Sequence, residues 1–188
     1  MPSLYLLIGG NQGDRKALLQ QSTDLIQQRI GSVVAVSKLC ETEPWGDFGE
    51  QTPGTGRFLN AALLVDTPLS PHESLLQALE IERLLGRQRP IQSSAPDDDS
   101  REERHTSPNN TCHRIYSSRP IDIDLIFYDN KIIDTPDLVI PHPRMHLRRF
   151  VLQPLCDIAP DYIHPILNKS LEQLLSECPD NCSCYCYC

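Results

Sequence analysis

The order of hydrophobic periodicities along the chain constrains its fold more than any single motif does. Short apolar runs typical of strands alternate with longer segments in which leucine and isoleucine recur at helical spacing. Together they predict a strand at residues 4–8, a helix at 15–30, strands at 33–39 and 58–65, a helix at 71–85 and a strand at 121–128. This order is that of the ferredoxin-like split βαβ fold, so we expect an α+β protein with helices on one face of an antiparallel sheet.

Local signals define the ends of several elements. Ser70-Pro-His-Glu73 combines an N-cap serine, a proline at the first helical position and a glutamate that completes a capping box. Ser170-Leu-Glu-Gln173 repeats the capping-box pattern at the start of a short last helix. Asp129-Asn130 predicts a hairpin turn that leads into residues 131–133, and residues 141–155 begin with Pro-His-Pro and continue as a helix.

The chain is long enough, at 188 residues, for one domain with a hydrophobic core. We assign residues 1–177 to that domain, in which residues 88–118 lack periodicity and form a long mobile loop with an acidic insertion at 91–113. Five of the eight cysteines crowd into the last segment, 178–188, and this Cys-rich tail is predicted to be disordered. The other three are scattered, so the cysteine count does not indicate a disulfide framework.

Composition and charge argue against several classes of function. The formal net charge of −8 argues against a surface that binds nucleic acid, although it allows a local basic pocket. No apolar run approaches the ~20 residues that a membrane span requires, and no signal-peptide pattern is found at the start. We therefore expect a cytoplasmic protein with no membrane or nucleic-acid partner, acting as a monomer.

Asp122 and Asp124 are the strongest candidate site residues. In a strand, side chains two residues apart point to the same face, so these two carboxylates project together. The alternate residues are predicted to pack on the opposite face: Ile121, Ile123, Leu125 and Phe127. One or two carboxylates completed by substrate phosphates are the usual protein site for magnesium. Taken alone, Asp-x-Asp is equally compatible with solvated aspartates on an edge strand.

Basic residues flank this carboxylate pair in the sequence. Arg119 precedes it, and a group of histidines and arginines follows shortly after: His142, Arg144, His146, Arg148 and Arg149. Positive charge beside paired carboxylates, in a chain of net charge −8, favours a site for a metal–nucleotide complex. The pattern G-x-x-x-x-G-K-[ST] is missing from the sequence, which excludes a P-loop as the phosphate-binding element.

Four sequence blocks in order resemble the 6-hydroxymethyl-7,8-dihydropterin pyrophosphokinase family of the folate pathway. The blocks are Ile8–Asn11, Phe58–Ala62, Arg119–Asp124 and Ile140–Phe150. Members of that family transfer the pyrophosphoryl group of ATP to the hydroxymethyl oxygen of the pterin and release AMP. The resemblance therefore implies an ATP-dependent diphosphotransferase that uses two Mg²⁺ ions and forms no covalent enzyme intermediate.

The resemblance also implies roles for individual residues. Asp122 and Asp124 would ligate both magnesium ions, which would bridge the phosphates. The implied residues of the catalytic loops are Arg87, Arg89 and Arg119. The implied ATP-binding residues are His142, Arg148, Arg119 and Glu82, the last of which is equally compatible with a surface glutamate. The implied pterin-binding residues are Thr42, Trp45, Phe58, Asn60, Phe150 and Tyr116.

The sequence departs from the family pattern at two places, and three alternatives remain open. Tyr116-Ser117-Ser118 replaces the usual aromatic-Gly-Pro segment, and His146 stands where a basic residue is usual. One alternative is another Mg-dependent nucleotidyl or phosphoryl transferase on the same Asp-x-Asp site. The second is a non-catalytic ferredoxin-like RNA-binding module, although no basic, aromatic RNA-binding strand is present. The third is a metal-binding protein that uses the Cys-rich tail, although the tail lacks the C-x₂-C pairs of zinc sites.

Overall fold

The computed structural model describes residues 1–43, 56–87 and 119–187. The strands are β1 (Ser3–Gly10), β2 (Ser32–Val36), β3 (Leu39–Thr42), β4 (Phe58–Asp66), β5 (Asp122–Tyr128), β6 (Ile133–Asp134), β7 (Val139–Ile140) and β8 (Cys184–Tyr187). The helices are α1 (Arg15–Arg29), α2 (Pro71–Leu84), α3 (Arg149–Ile158) and α4 (Leu171–Ser176). An antiparallel sheet runs in the order β5-β1-β4-β3-β8, with β2 pairing to β4, and β6 and β7 form a separate small sheet.

A mixed α/β architecture built on an antiparallel sheet is therefore confirmed, but helices cover both faces of the sheet. Leu6 of β1 belongs to a core shared with Ile26 of α1 and Ile81 of α2. Leu7, its neighbour in β1, points the other way and belongs to a second core that includes Leu152 of α3. The expectation of helices on a single face is wrong, because α3 and α4 bury the second face.

The predicted helix starts are confirmed by side-chain hydrogen bonds. At α2, the Ser70 hydroxyl accepts a hydrogen bond from the Glu73 N–H at 3.3 Å, and the Glu73 carboxylate accepts one from the Ser70 N–H at 2.8 Å. Ser170 and Gln173 make the same reciprocal pair at α4. Such caps satisfy backbone donors that have no partner inside the helix, so short sequence patterns can predict them.

The segment predicted as one strand at residues 33–39 is divided into β2 and β3. At the division, the Ser37 N–H donates to the Ala62 carbonyl, and the Ala62 N–H donates to the Ser37 hydroxyl, each at 2.9 Å. The Ser37 side chain thus accepts a hydrogen bond that a backbone carbonyl would otherwise accept, and the regular ladder is interrupted there. As a result, β3 continues along β4 with Thr42 opposite Phe58.

A β-bulge in β5 changes the face on which Phe127 lies. Tyr5 of β1 pairs with Phe127, but the next residue, Leu6, pairs with Leu125, so Ile126 is an extra residue on the β5 side. Phe127 consequently packs in the core with Tyr5 and α3, the face toward which Asp122 and Asp124 project. The prediction that Phe127 packs with Ile121, Ile123 and Leu125 is wrong for this reason.

The predicted hairpin after β5 is also wrong. Asp129 has φ 44°, its N–H donates to the Ser3 carbonyl at 2.8 Å, and its carboxylate accepts from the Ser3 N–H at 2.7 Å. These bonds tie the turn to the start of β1, and the chain leaves the sheet, so β6 pairs with β7 instead. The segment 141–155 contains a short 3₁₀ turn at Met145–Leu147 before α3 begins.

The C-terminal tail differs from the expected disordered segment. Strand β8 pairs with β3 in a register that sets Cys186 opposite Cys40, and a disulfide joins these two residues. Before the strand, the Asp180 carboxylate accepts a hydrogen bond from the Arg149 N–H at 2.9 Å, at the start of α3. The tail thus belongs to the same sheet as the rest of the chain. The predicted mobile loop 88–118 lies outside the described residues.

Within the described ranges, we find no helix long and apolar enough to cross a membrane.

Candidate active site

Two cavities meet at the N-terminal end of β5. The smaller lies on the sheet face that carries Leu7 and Asn60, and the larger lies between α2 and residues 137–143. Three residues line both cavities: Arg119, Asp122 and Asp124. The carboxylate pair singled out in the sequence is therefore at the junction of two binding spaces.

Gly9 is the centre of the floor of the smaller cavity. It pairs with Asn60 of β4 on one side and with Asp122 of β5 on the other, and directly paired residues in antiparallel strands face the same way. A Cβ atom at Gly9 would lie 2.2 Å from the Asn60 Oδ1 atom. Glycine therefore leaves open the space between the amide and the carboxylate.

Gly10 brings a second backbone segment close to β1. A Cβ atom there would lie 2.1 Å from the Pro120 carbonyl oxygen. Beside it, the Asn11 N–H donates to the Arg119 carbonyl at 3.1 Å, and the Asn11 Oδ1 accepts from the Arg119 N–H at 2.9 Å. The glycine-rich end of β1 thus does more than lead into a turn, because Gly10 and Asn11 hold the segment that precedes the carboxylates.

Two arginines contact Asp122. The Arg119 Nη1 donates to one carboxylate oxygen of Asp122 at 2.6 Å, and the Arg87 Nη1 donates to the other. Each of these side chains is partly buried, which strengthens the ion pairs relative to exposed ones. The predicted catalytic residues Arg87 and Arg119 are thus brought to the metal-ligand candidates.

Glu82 supports this cluster from α2. It is 1% exposed, forms an ion pair with Arg87, and its carboxylate accepts a hydrogen bond from the Ile123 N–H at 2.8 Å. The Ile123 amide lies between the two aspartates, so Glu82 ties α2 to β5 at the site. Because a buried charge needs such partners, these contacts favour a structural role over the surface role that the sequence also allowed.

Asp124 is in a different electrostatic environment from Asp122. Burial and the neighbouring Asp122 carboxylate raise the pKa of Asp124 well above its ordinary value, and Arg119 and Arg148 oppose this shift. Two carboxylates that share one face concentrate negative charge, which a hard divalent cation would stabilise. The residues present therefore fit a hard cation such as Mg²⁺, which Asp122 and Asp124 would hold.

His142 lines the larger cavity opposite the carboxylates. Burial and the charge of Arg148 lower the pKa of His142 to about 4, so the ring is neutral at pH 7. Its Nδ1 accepts a hydrogen bond from the Arg144 N–H at 3.4 Å, which leaves the proton on Nε2. His142 can therefore donate a hydrogen bond without carrying charge.

Arg148 is 8% exposed and lines the smaller cavity, where its guanidinium lies 5.7 Å from the centre of the Phe150 ring. Phe58 lines the same cavity. The two aromatic rings provide apolar walls, and Arg148 adds a positive charge near Asp124 and His142. Sequence reasoning assigned Arg148 to ATP, whereas its position borders the space that holds the predicted pterin residues.

The polar end of the smaller cavity is formed by Asn60 and Thr42. The Asn60 Nδ2 donates to the Thr42 hydroxyl at 3.3 Å, and both side chains are buried. Sequence reasoning missed Leu7, Gly9 and Glu43, which also line this cavity. The Gly9-Gly10 pair was the one available signal, since adjacent glycines in an otherwise apolar strand indicate close backbone approach.

Three predicted site residues lie outside the described residues: Trp45, Arg89 and Tyr116. The larger cavity has an apolar wall that sequence reasoning also missed, formed by Leu75, Leu79, Leu138 and Val139. An apolar wall opposite carboxylates and a histidine suits a molecule that has both a flat ring and charged phosphates.

Paired carboxylates with arginines, placed between a small aromatic cavity and a larger one, are the groups that a transferase of phosphate-bearing substrates requires. Comparison with protein families is more specific, because residues 5–160 match the family of 7,8-dihydro-6-hydroxymethylpterin-pyrophosphokinase. The chain belongs to this family.

Individual relatives agree with this assignment. The chain is 36% identical over 166 residues to 2-amino-4-hydroxy-6-hydroxymethyldihydropteridine pyrophosphokinase of Porphyromonas gingivalis, covering 88% of this chain and 95% of that protein. It is 33% identical over 155 residues to the protein of that name from Bacillus subtilis, covering 82% and 76%.

Among solved structures, the fold is similar to that of the HPPK-DHPS protein of Plasmodium falciparum, with a TM-score of 0.64 and 16% identity. The match covers 94% of this chain and 43% of that one, so the chain spans less than half the length of that protein. At this identity, the likeness supports the fold alone.

Proposed function

We propose that the chain transfers the pyrophosphoryl group of ATP to 6-hydroxymethyl-7,8-dihydropterin, giving the pterin diphosphate and AMP in folate biosynthesis. The observation that carries the proposal is the junction of the two cavities at Asp122 and Asp124. A reaction between two bound substrates requires their reacting atoms to meet, and holding them together supplies much of the rate enhancement. The family membership agrees with this reaction.

The smaller cavity suits the pterin. Its aromatic residues Phe58 and Phe150 can lie against a flat ring, and the Asn60 and Thr42 side chains can match ring donors and acceptors. Gly9 leaves room for the ring over the sheet, next to Asp122. In this arrangement the pterin hydroxymethyl group would face the carboxylates.

The larger cavity suits ATP. Its apolar wall can bind the adenine, and the neutral His142 can donate a hydrogen bond to a phosphate oxygen. Arg119 and Arg148 would offset the negative charge of the phosphates from the pterin side. Arg87 would act next to Asp122, and Glu82 would hold Arg87 in place.

Mg²⁺ is the expected cofactor, in two ions held by Asp122 and Asp124 together with the phosphates of ATP. When bound, it would neutralise charge on the phosphates during transfer. The contacts of Asp122 with Arg87 and Arg119 would orient that carboxylate for the metal.

Three broader features belong to the same proposal. The order β5-β1-β4-β3 with two helices on one face fits the ferredoxin-like split βαβ arrangement, to which α3, α4 and β8 are additions. A monomer in the cytoplasm, with no nucleic-acid or membrane partner, agrees with one chain providing both cavities and with the net charge of −8. The alternative functions on the Asp-x-Asp site and the RNA-binding module are not favoured by the family match.

The test is to identify the nucleotide product. The chain would be incubated with ATP, Mg²⁺ and 6-hydroxymethyl-7,8-dihydropterin, and the nucleotides separated by chromatography. AMP formed in equal amount to the pterin diphosphate is the expected result. ADP, or pyrophosphate with a nucleotidylated pterin, would refute the proposed reaction and favour another transferase.

A further inference from the structure

A cluster of three cysteine sulfur atoms lies at the edge of the sheet, where β8 covers β3. Cys40 and Cys186 are joined by a disulfide, and the Cys184 Sγ lies 3.8 Å from the Cys186 Sγ. All three sulfurs lie within 4.8 Å of one another. The bond connects residues 146 positions apart in the sequence, so it attaches the end of the chain to the sheet.

The two bonded cysteines differ in exposure. Cys40 is 1% exposed, whereas Cys186 is an exposed residue near the end of β8. A thiolate from solution would therefore approach the disulfide from the side of Cys186, with Cys40 as the leaving group. Burial raises the pKa of the Cys184 thiol, which keeps it protonated and limits attack on the disulfide from within the protein.

We propose that Cys40 and Cys186 form a reversible dithiol–disulfide site that attaches β8 to β3 when oxidised and releases it when a dithiol reduces it. During reduction, one thiolate of the dithiol attacks the Cys186 Sγ and the Cys40–Cys186 bond breaks. Cys40 leaves as a thiolate that takes a proton. The second thiol of the dithiol then attacks the mixed disulfide and releases Cys186. The protein gains two electrons and two protons, and the dithiol becomes a cyclic disulfide.

Contacts other than the disulfide also hold β8, and their strength decides whether reduction releases the strand. Apart from the disulfide, β8 is held by its pairing with β3. Other contacts add to this, such as that between Lys16 and Tyr187, in which the Lys16 Nζ lies 5.1 Å from the centre of the ring. Tyr185 is 58% exposed. This edge strand has only four residues, of which Tyr185 and Cys186 are exposed, so the covalent bond contributes substantially to holding it in place.

The site is coupled to the smaller cavity through β3. Cys40 pairs with Asn60 on β4, and Thr42, two residues further on, pairs with Cys184 on β8 and lines the cavity. Loss of β8 would leave Thr42 on an open edge and loosen the hydrogen bond that its hydroxyl accepts from Asn60. This consequence rests on the proposed function, because it concerns the binding of the pterin.

The first experiment needs no substrate. The full chain would be treated with an oxidant or with dithiothreitol, free thiols would be alkylated, and peptides would be mapped by mass spectrometry, with hydrogen exchange measured on residues 184–187. We expect a Cys40–Cys186 linked peptide and protected β8 amides after oxidation, and alkylated cysteines with unprotected amides after reduction. Absence of the linked peptide, or β8 protection that is equal in both states, would overturn the proposal.

The second experiment measures binding of 6-hydroxymethylpterin by its fluorescence. Reduction should raise its Kd about fivefold, the lower end of typical coupling between sites. Cys186→Ser should bind like the reduced chain with or without dithiothreitol, and Cys156→Ser, which changes a free cysteine on α3, should keep the response. Equal affinity in both redox states would overturn the coupling to the cavity.

Two further outcomes are distinguishable. Stoichiometric zinc in the freshly purified chain, with no linked peptide after oxidation, would assign the three sulfurs to a metal site and overturn the disulfide. A chain that shows the linked peptide and the β8 release but forms no AMP would support the redox site and refute the proposed function.

Discussion

Replacement of Gly9 by alanine tests whether the open floor of the smaller cavity is needed for the pterin. The new Cβ atom would lie 2.2 Å from the Asn60 Oδ1, while ordinary van der Waals contact begins at 3.4 Å, so the amide must retreat by about 1.2 Å. The end of a side chain can rotate away, whereas the backbone of β1 is held between two strands. Gly9→Ala should therefore turn the Asn60 amide away from Thr42.

The magnitude follows from the hydrogen bonds involved. Losing the 3.3 Å bond from Asn60 to Thr42 costs about 1 kcal/mol of folding stability. Losing a similar bond to the pterin costs about 1.4 kcal/mol, which is about tenfold in affinity. We expect the KM for the pterin to rise about tenfold in Gly9→Ala, with the KM for ATP nearly unchanged, since the three atoms nearest the new methyl all belong to β4.

Steady-state kinetics with each substrate varied in turn, together with urea unfolding, would measure both effects. Two glycines provide comparisons. In Gly10→Ala the Cβ would lie 2.1 Å from the Pro120 carbonyl oxygen, which belongs to the backbone and cannot rotate away. The free energy of unfolding should therefore fall by about 1–3 kcal/mol. In Gly56→Ala the nearest atom, the Asn11 carbonyl oxygen, is 3.5 Å away, so little should change. An unchanged pterin KM in Gly9→Ala would refute the reasoning.

Three further predictions concern the carboxylates and the stability of the fold. Asp122→Ala or Asp124→Ala should lower kcat by at least ~10³-fold, as expected for a metal site in phosphoryl transfer, and a loss under tenfold in steady-state assays would contradict the metal assignment. Ser70→Ala removes the acceptor for the Glu73 N–H and should cost about 1 kcal/mol in urea unfolding, whereas an unchanged midpoint would contradict the cap. Burial lowers the pKa of His164 from its ordinary value of about 6.5, so the unfolded chain binds a proton that the folded chain resists. Stability should therefore fall as the pH drops below about 6.5, less steeply in His164→Asn, and equal slopes would contradict this.

Features that depend on neighbouring residues were predictable from the sequence. The capping boxes at Ser70 and Ser170 depend on groups three residues apart, and both form. The common face of Asp122 and Asp124 follows from the two-residue period of a strand, and both line the same cavities. These features need no knowledge of the rest of the fold.

Features that depend on distant partners were not predictable in this way. The position of Phe127 depends on a bulge whose cause is the pairing of β5 with β1. The order of the tail depends on its pairing with β3, a strand that the sequence pattern did not separate from β2, and on a disulfide between Cys40 and Cys186. In each case the information lies in the pairing of two segments, and local periodicity contains none of it.

The position of the site follows from the register of three strands and from the length of α3. Asn60, Gly9 and Asp122 lie side by side on β4, β1 and β5, so an amide and a carboxylate face the same way with a glycine between them. Helix α3 covers this face over Ala62 and Leu64 but not over Gly9, because the chain enters α3 only at Arg149. The cavity over Gly9 is therefore bounded by Phe150 and Arg148 at the start of the helix. The backbone thus places an apolar recess beside charged groups, which is the arrangement that a flat ring with a reactive hydroxymethyl group requires.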